Sequence, residues 1–237
     1  AASVGPIVSA ALRDALAGIP REIAQESGRS SARGRFDGTR VPREVIAACT
    51  GCSFRNADLH GIDLHGLKLT GDSFNGADLR GANLAGVHLS GVSLRSANLA
   101  GADLRGAQLS GVEMQGANFD GAQLDGMRLS GVSLRGTTFR GTALRSVLGN
   151  CVGCDLNGMD LHGQDLHGIA LSGADLSHAD LHDANLSGVQ FSGVDLSHAN
   201  LAGADLTNAR LTGCDLIGIE LRGARTTGMT MSGSDVN

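Results

Sequence analysis

From Cys49 onward an apolar residue recurs at every fifth position, with a small or apolar residue two places before it and, in most copies, Gly two places after. Runs such as Ala57-Asp-Leu-His-Gly61, Ala77-Asp-Leu-Arg-Gly81 and Ala102-Asp-Leu-Arg-Gly106 carry the pattern, with Leu at the centre. Between Phe54 and Leu144 there are 19 centres, 14 of them Leu, four Phe and the last Met114; between Leu156 and Met231 there are 16 more, 13 of them Leu. A five-residue period fits neither regular element. On a helix successive centres would advance by about 500° and leave no apolar stripe. On a flat strand they would alternate between faces. The pattern fits a chain that bends once per repeat and keeps each centre inward, with the Gly after it supplying the conformational freedom of the corner. That describes a solenoid.

If four repeats close one coil, residues 20 apart stack. Phe54 and Phe74 have that spacing, as do Phe119 and Phe139, His162 and His182, and His178 and His198. Phe54, Phe74, Phe119 and Phe139 are therefore assigned to the core, together with centres such as Leu156 and Leu176. The tandem A-(D/N)-L-x-G pattern over 49–237 resembles the pentapeptide-repeat family. The resemblance implies an all-β fold, a right-handed quadrilateral β-helix with Leu and Phe centres facing inward. About nine coils stacked at roughly 4.8 Å would make a rod of about 43 Å.

The frame slips once. Centres run through Leu144 and resume at Leu156, so two residues are extra. Around that point the sequence restarts: Cys49-Thr-Gly-Cys52 recurs as Cys151-Val-Gly-Cys154, and Ala97 to Leu104 recurs as Ala199 to Leu206, at a constant offset of 102. The chain thus reads as a non-repetitive segment, 1–48, a first repeat block, 49–150, and a second, 151–237, continuous with the first. The second copy stops about 15 residues short of the first, so either the rod ends bluntly or the native chain continues. All three Pro lie in 1–48. Ile7, Val8, Ala11, Leu12 and Leu16 have helical spacing there, and 27–35 is polar and Arg-rich. This segment is expected to be a short, partly helical cap over the first coil, since open β-edges aggregate. A targeting or secretion segment is the alternative.

Composition sharpens the picture. There is no Trp or Tyr and only 6 Phe, so aliphatic side chains fill a narrow core. No apolar run approaches the roughly 18 residues of a membrane span. The net charge of −5 hides an asymmetry: the segments carry +2, +1 and −8. Asp155, Asp175, Asp195, Asp215 and Asp235 are 20 apart and should form one column, with Asp160, Asp180 and Glu220 in the neighbouring one. In the first copy these columns are diluted by Asn, Ser and Gln, while Arg55, Arg95 and Arg135 stack beside Phe and Leu centres. Like charges at this spacing repel. Asp at this position also caps the adjacent turn, the bland explanation; the functional one is a negative face for a basic partner or an imitation of duplex charge.

The two CxxC pairs have zinc-ligand spacing, but about five coils, roughly 24 Å, separate them, too far for a shared ion. Buried thiols are the expectation, Cys214 included, with a disulfide inside each pair as the alternative. His60, His65, His162 and His167 each follow a centre and face outward. The stacked His pairs offer two ligands, but nothing supplies a third at fixed spacing, so no metal site is assigned. No catalytic constellation or cofactor motif is present.

A non-enzymatic interaction rod that docks a protein partner through regular outward faces, chiefly the acidic half, is the resulting reading. The resemblance brings a second, a duplex-mimicking modulator of DNA gyrase or topoisomerase. Family members of that kind join their C-terminal ends through a helix and aromatic contacts, which 229–237 does not contain. A secreted bacterial effector is a third. No direct nucleic-acid contact and no membrane span are expected, and an end-to-end homodimer is a further option. Cytoplasmic placement is favoured, with secretion or the periplasm as alternatives.

Overall fold

The computed structural model describes residues 41–142, 144–149 and 151–235. The helix expected around Ile7 to Leu16 and the loop expected at 27–35 lie outside the described residues.

Each repeat forms one side and one corner of a square coil. At Leu79 the carbonyl accepts the amide of Ala82, three residues on, at 3.0 Å, and Gly81 between them has φ of 62°. A left-handed residue in the third place of such a turn is the signature of type II, and Gly takes it without steric cost. The small residue then enters the next side and its own centre follows, which accounts for the period of five.

Three sides are joined to the next coil by single parallel bridges, in columns beginning Ser53↔Ser73, Asp58↔Asp78 and Asp63↔Asn83. The fourth side is a nine-stranded parallel sheet in sequential order. Its strands are β1 (Lys68–Thr70), β2 (His88–Ser90), β3 (Gln108–Ser110), β4 (Arg128–Ser130), β5 (Cys151–Val152), β6 (Ala170–Ser172), β7 (Gln190–Ser192), β8 (Arg210–Thr212) and β9 (Thr230–Ser232). Four bridged sides per 20 residues make the quadrilateral β-helix. The centres and the small residues two before them form one continuous buried cluster from Val41 to Leu216. Each buried Leu stabilises the fold by about 1.5–3 kcal/mol. Phe54 stacks on Phe74 with ring centroids 5.0 Å apart, and Phe119 on Phe139 at 5.2 Å, as the 20-residue spacing predicts. Phe54, Phe74, Phe119, Leu156 and Leu176 are buried and Phe139 is partly buried.

Leu144 is not a repeat centre, contrary to the sequence reading. It opens a five-residue helix, α2 in chain order (Leu144–Leu148), whose Leu144, Val147 and Leu148 are buried. This i, i+3, i+4 spacing was present in the sequence but lay hidden under the five-residue frame. The helix is how the two extra residues are absorbed, since helix advances 1.5 Å per residue where strand advances about 3.3 Å. Strand β4 meets β5 as Leu129↔Cys151, and Ser133 bridges Asp155, both at an offset of 22. Those two sides run on through the seam. The column through Thr138 stops there and resumes at Asp160.

At the other end, α1 (Arg43–Ala47) follows Pro42 and buries Val45 and Ile46 in the same cluster as the first coil. The sequence reading had not singled it out. Its signal was Pro42 with Glu44 in the first turn ahead of an apolar pair.

Candidate interaction surface

The acidic column exists as geometry. Asp155, Asp175, Asp195, Asp215 and Asp235 bridge one another in sequence on the side that follows the strands. One oxygen of each carboxylate faces its own turn: the amides of Asn157, Ser177, Ser197 and Ile217 donate to Oδ1 of Asp155, Asp175, Asp195 and Asp215 at 2.8 to 3.2 Å. The second oxygen of Asp155 accepts the Ser133 hydroxyl at 2.9 Å. The turn-capping explanation therefore holds for Asp155, Asp175, Asp195 and Asp215, all four half-buried. On the next side Asp160 meets Asp180, with Asn200 between Asp180 and Glu220.

Pairing separates the two copies. Arg80 grips Asp78 at 2.6 and 2.8 Å, and Arg105 grips Asp103 at 2.7 and 2.9 Å. These guanidinium contacts hold both carboxyls below the ordinary range. Arg95 reaches Glu113 and Gln115 in the next coil, and Arg135 reaches Asp155 across the seam at 3.0 Å. Asp165 is held low by a hydrogen bond from His167, Asp205 by one from Thr207. Among the described residues no ion pair reaches Asp175, Asp195, Asp215 or Asp235. The first copy pairs Asp63, Asp78, Asp103 and Glu113 with cationic side chains, and the second pairs Asp165, Asp183, Asp205 and Glu220 but leaves its main column beyond Asp155 bare. Round the corner, beside α2, the strand side carries a shallow groove of about 810 Å³ lined in part by Arg128, Val152, Gln190 and Arg210.

The cysteines correct the expectation of buried thiols. Cys49 is disulfide-bonded to Cys52 and Cys151 to Cys154, with Cα atoms 5.8 and 5.9 Å apart. A centre and the small residue before the next centre flank the same corner, so two inward side chains three apart meet there. Cys214 is the free, buried cysteine, its thiol pushed up by burial.

Under the first pair lies a group that the sequence reading missed. Asp72 occupies the inward place taken by Val92, Val112 and Val132 in later coils and is 1% exposed. Its Oδ1 accepts the Cys52 amide at 2.8 Å, while Oδ2 has no partner. Burial pushes its carboxyl up to about 6. The signal was an acid two places before a centre, where the repeat puts Ala or Val.

The His pairs stack as predicted, with ring centroids 5.1 Å apart in both. Beside the first pair stands Asp183, off the 20-residue grid on which no third ligand was expected. His162, His182 and Asp183 bring one ligand atom each to within 4.8 Å of one another. The search for a ligand at 20-residue spacing passed over Asp183, because it neighbours His182 in a corner that Gly usually fills. It has a φ of 56°, and its carboxylate meets His182.

A family profile for pentapeptide repeats matches in eight copies over residues 73–111, 113–147, 154–193 and 190–225. Among solved structures, the chain is similar to HetL, a pentapeptide repeat protein involved in heterocyst differentiation regulation from Nostoc sp. strain PCC 7120. That likeness has 28% identity over 90% of this chain and 96% of the other, with a TM-score of 0.39. It is also similar to full-length QnrB1, a plasmid-mediated fluoroquinolone resistance protein, at 18% identity over 86% and 92%, TM-score 0.41. A pentapeptide repeat protein of the Arabidopsis thaliana thylakoid lumen matches at 22% identity over 70% and 73%, TM-score 0.22. Overlaps of this size lend the chain neither partner nor activity. No curated protein sequence matches it significantly.

Proposed function

This chain belongs to the pentapeptide-repeat family, and from that premise we propose that it is a non-enzymatic docking rod whose acidic second copy binds a basic protein surface. The observation that carries the reading is the bare column of Asp175, Asp195, Asp215 and Asp235 in register with Asp155. Four like charges about 4.8 Å apart without a counter-charge cost stability. A partner cation would recover that cost on binding. The first copy, whose charges nearly balance, serves as a near-neutral stalk.

The test replaces Asp155, Asp175, Asp195 and Asp215 with Asn, which keeps the oxygen that each turn needs. Immobilised wild-type rod should retain basic proteins from a lysate and release them as salt screens the face; the variant should lose the same proteins. If both rods retain the same set, the reading is overturned.

Regular charge spacing favours a second reading, duplex mimicry directed at gyrase or topoisomerase. The eight carboxylates from Asp155 to Asp235 in the two columns span about five coils, or one charge per roughly 3 Å of axis, about half the density of duplex DNA with one per about 1.7 Å. A gyrase supercoiling assay separates the two. No effect of wild type at micromolar concentration removes mimicry, and equal effects of wild type and Asn variant reduce the column to a structural feature. The two disulfides bear on compartment: such bonds persist in oxidising surroundings, which supports the secreted or periplasmic alternative over the cytoplasmic one.

A further inference from the structure

On one side of the second copy, His162 and His182 follow the centres Leu161 and Leu181 and stack in adjacent coils. Their backbone is fixed by the neighbouring carboxylates: Asp160 Oδ1 accepts the His162 amide and Asp180 Oδ1 the His182 amide, each at 3.1 Å. His182 Nδ1 lies 2.8 Å from the carbonyl oxygen of Ala202 in the following coil. A carbonyl only accepts, so Nδ1 carries a proton, and Nε2 is the ring nitrogen left to ligate. That Nε2 faces Asp183 Oδ2 at 3.3 Å. A second proton on Nε2 would make this contact an imidazolium–carboxylate ion pair, and a metal ion can take that proton's place between the same two atoms. The separation suits a metal ion. Two ligands each held at about 2.0–2.1 Å in tetrahedral geometry are about 3.3 Å apart. The bond from His182 to the Ala202 carbonyl is also the outer contact that ligating imidazoles characteristically make.

We propose that His162, His182 and Asp183 form a surface site for a divalent transition-metal ion of the zinc class, with the fourth position open to water or to a partner's ligand. The exposed His162 ring completes the set by rotating toward the other two, all three ligand atoms already lying within 4.8 Å. Two imidazoles and one carboxylate favour Zn²⁺, Co²⁺ or Ni²⁺ over Ca²⁺ or Mg²⁺. The molecule supplies its own controls. At the offset of 102 the first copy has His60, Arg80 and Gly81, which cannot ligate as a set. The stacked pair His178 and His198 belongs to no three-ligand group among the described residues. The inference is independent of the docking role.

The test uses the full chain, stripped with chelator, without reductant and titrated with Zn²⁺ by calorimetry and with Co²⁺ by optical absorption. One equivalent should bind. Asp183→Gly, which restores the usual corner residue and so keeps the fold, should weaken binding at least about tenfold, as should His162→Asn; outer contacts alone are worth 10–100-fold. The double variant His178→Ala with His198→Ala should bind as wild type does. Circular dichroism checks that each variant retains the β-helix. The proposal is overturned if no ion binds, if Asp183→Gly and His162→Asn leave affinity unchanged, or if Co²⁺ gives a thiolate charge-transfer band, which would put the ion on cysteine.

Discussion

Asp72 offers the sharpest test of how the core tolerates charge. Its carboxyl sits under the Cys49–Cys52 corner, 1% exposed, with one oxygen bonded to the Cys52 amide and the other unpartnered. Burial raises it from 3.8 to about 6. Below pH 3.8 the folded and unfolded chains both hold the proton and no penalty applies. As pH climbs from 3.8 to 6 the unfolded chain releases its proton first, so stability falls; above 6 the full cost is present. A shift of about two units corresponds to about 3 kcal/mol. Asp72→Asn keeps an acceptor for Cys52 and removes the titration. Urea unfolding followed by far-ultraviolet circular dichroism, at steps from pH 4 to 7.5, gives the stability of both proteins. Carboxylates held low by partners, such as Asp78 and Asp103, contribute stability that is lost as pH falls, but this is common to both and cancels in the difference. The variant should gain on wild type by about 3 kcal/mol across the range. A difference that stays constant with pH would refute the reasoning, whatever its offset.

The disulfides predict that one cysteine, Cys214, is alkylated after unfolding without reductant and all five after reduction, as read by mass spectrometry. Opening either very short loop by Cys→Ser should cost about 2 kcal/mol in denaturant unfolding. Leu104→Ala, at a fully buried centre, should cost about 2–5 kcal/mol, and Leu221→Ala, at a centre 37% exposed, well under half of that. Gly101→Ala enters an open left-handed corner, φ 66°, and should cost about 1–2 kcal/mol. Gly203→Ala should cost only slightly more, because the added carbon meets the Asp183 carboxylate, an exposed side chain free to rotate away, and in an Asp183→Gly background the two costs should become equal. An undiminished gap would refute that contact.

Much of the architecture was written in the period. A Leu every five residues with Gly two later requires a bend per repeat, and stacking at 20 follows once four bends close a coil; Phe54 on Phe74 and His162 on His182 both obey it. The Asp column from Asp155 to Asp235 was legible for the same reason. What escaped lay off that grid. Leu144, Val147 and Leu148 obey a helical spacing inside a stretch read in fives. Asp183 meets His182 at a corner with φ of 56°, a contact between chain neighbours that the 20-residue spacing does not record.

The sequence by itself thus determined the coil, its inward residues and which side chains stand above one another, because translation by 20 residues is a symmetry the repeat enforces. Only the tertiary structure decided how two surplus residues are stored in α2, that each CxxC closes on itself, and which polar groups meet at corners. Those outcomes depend on local backbone rotation and on packing between coils, where a few degrees of φ decide whether two atoms touch.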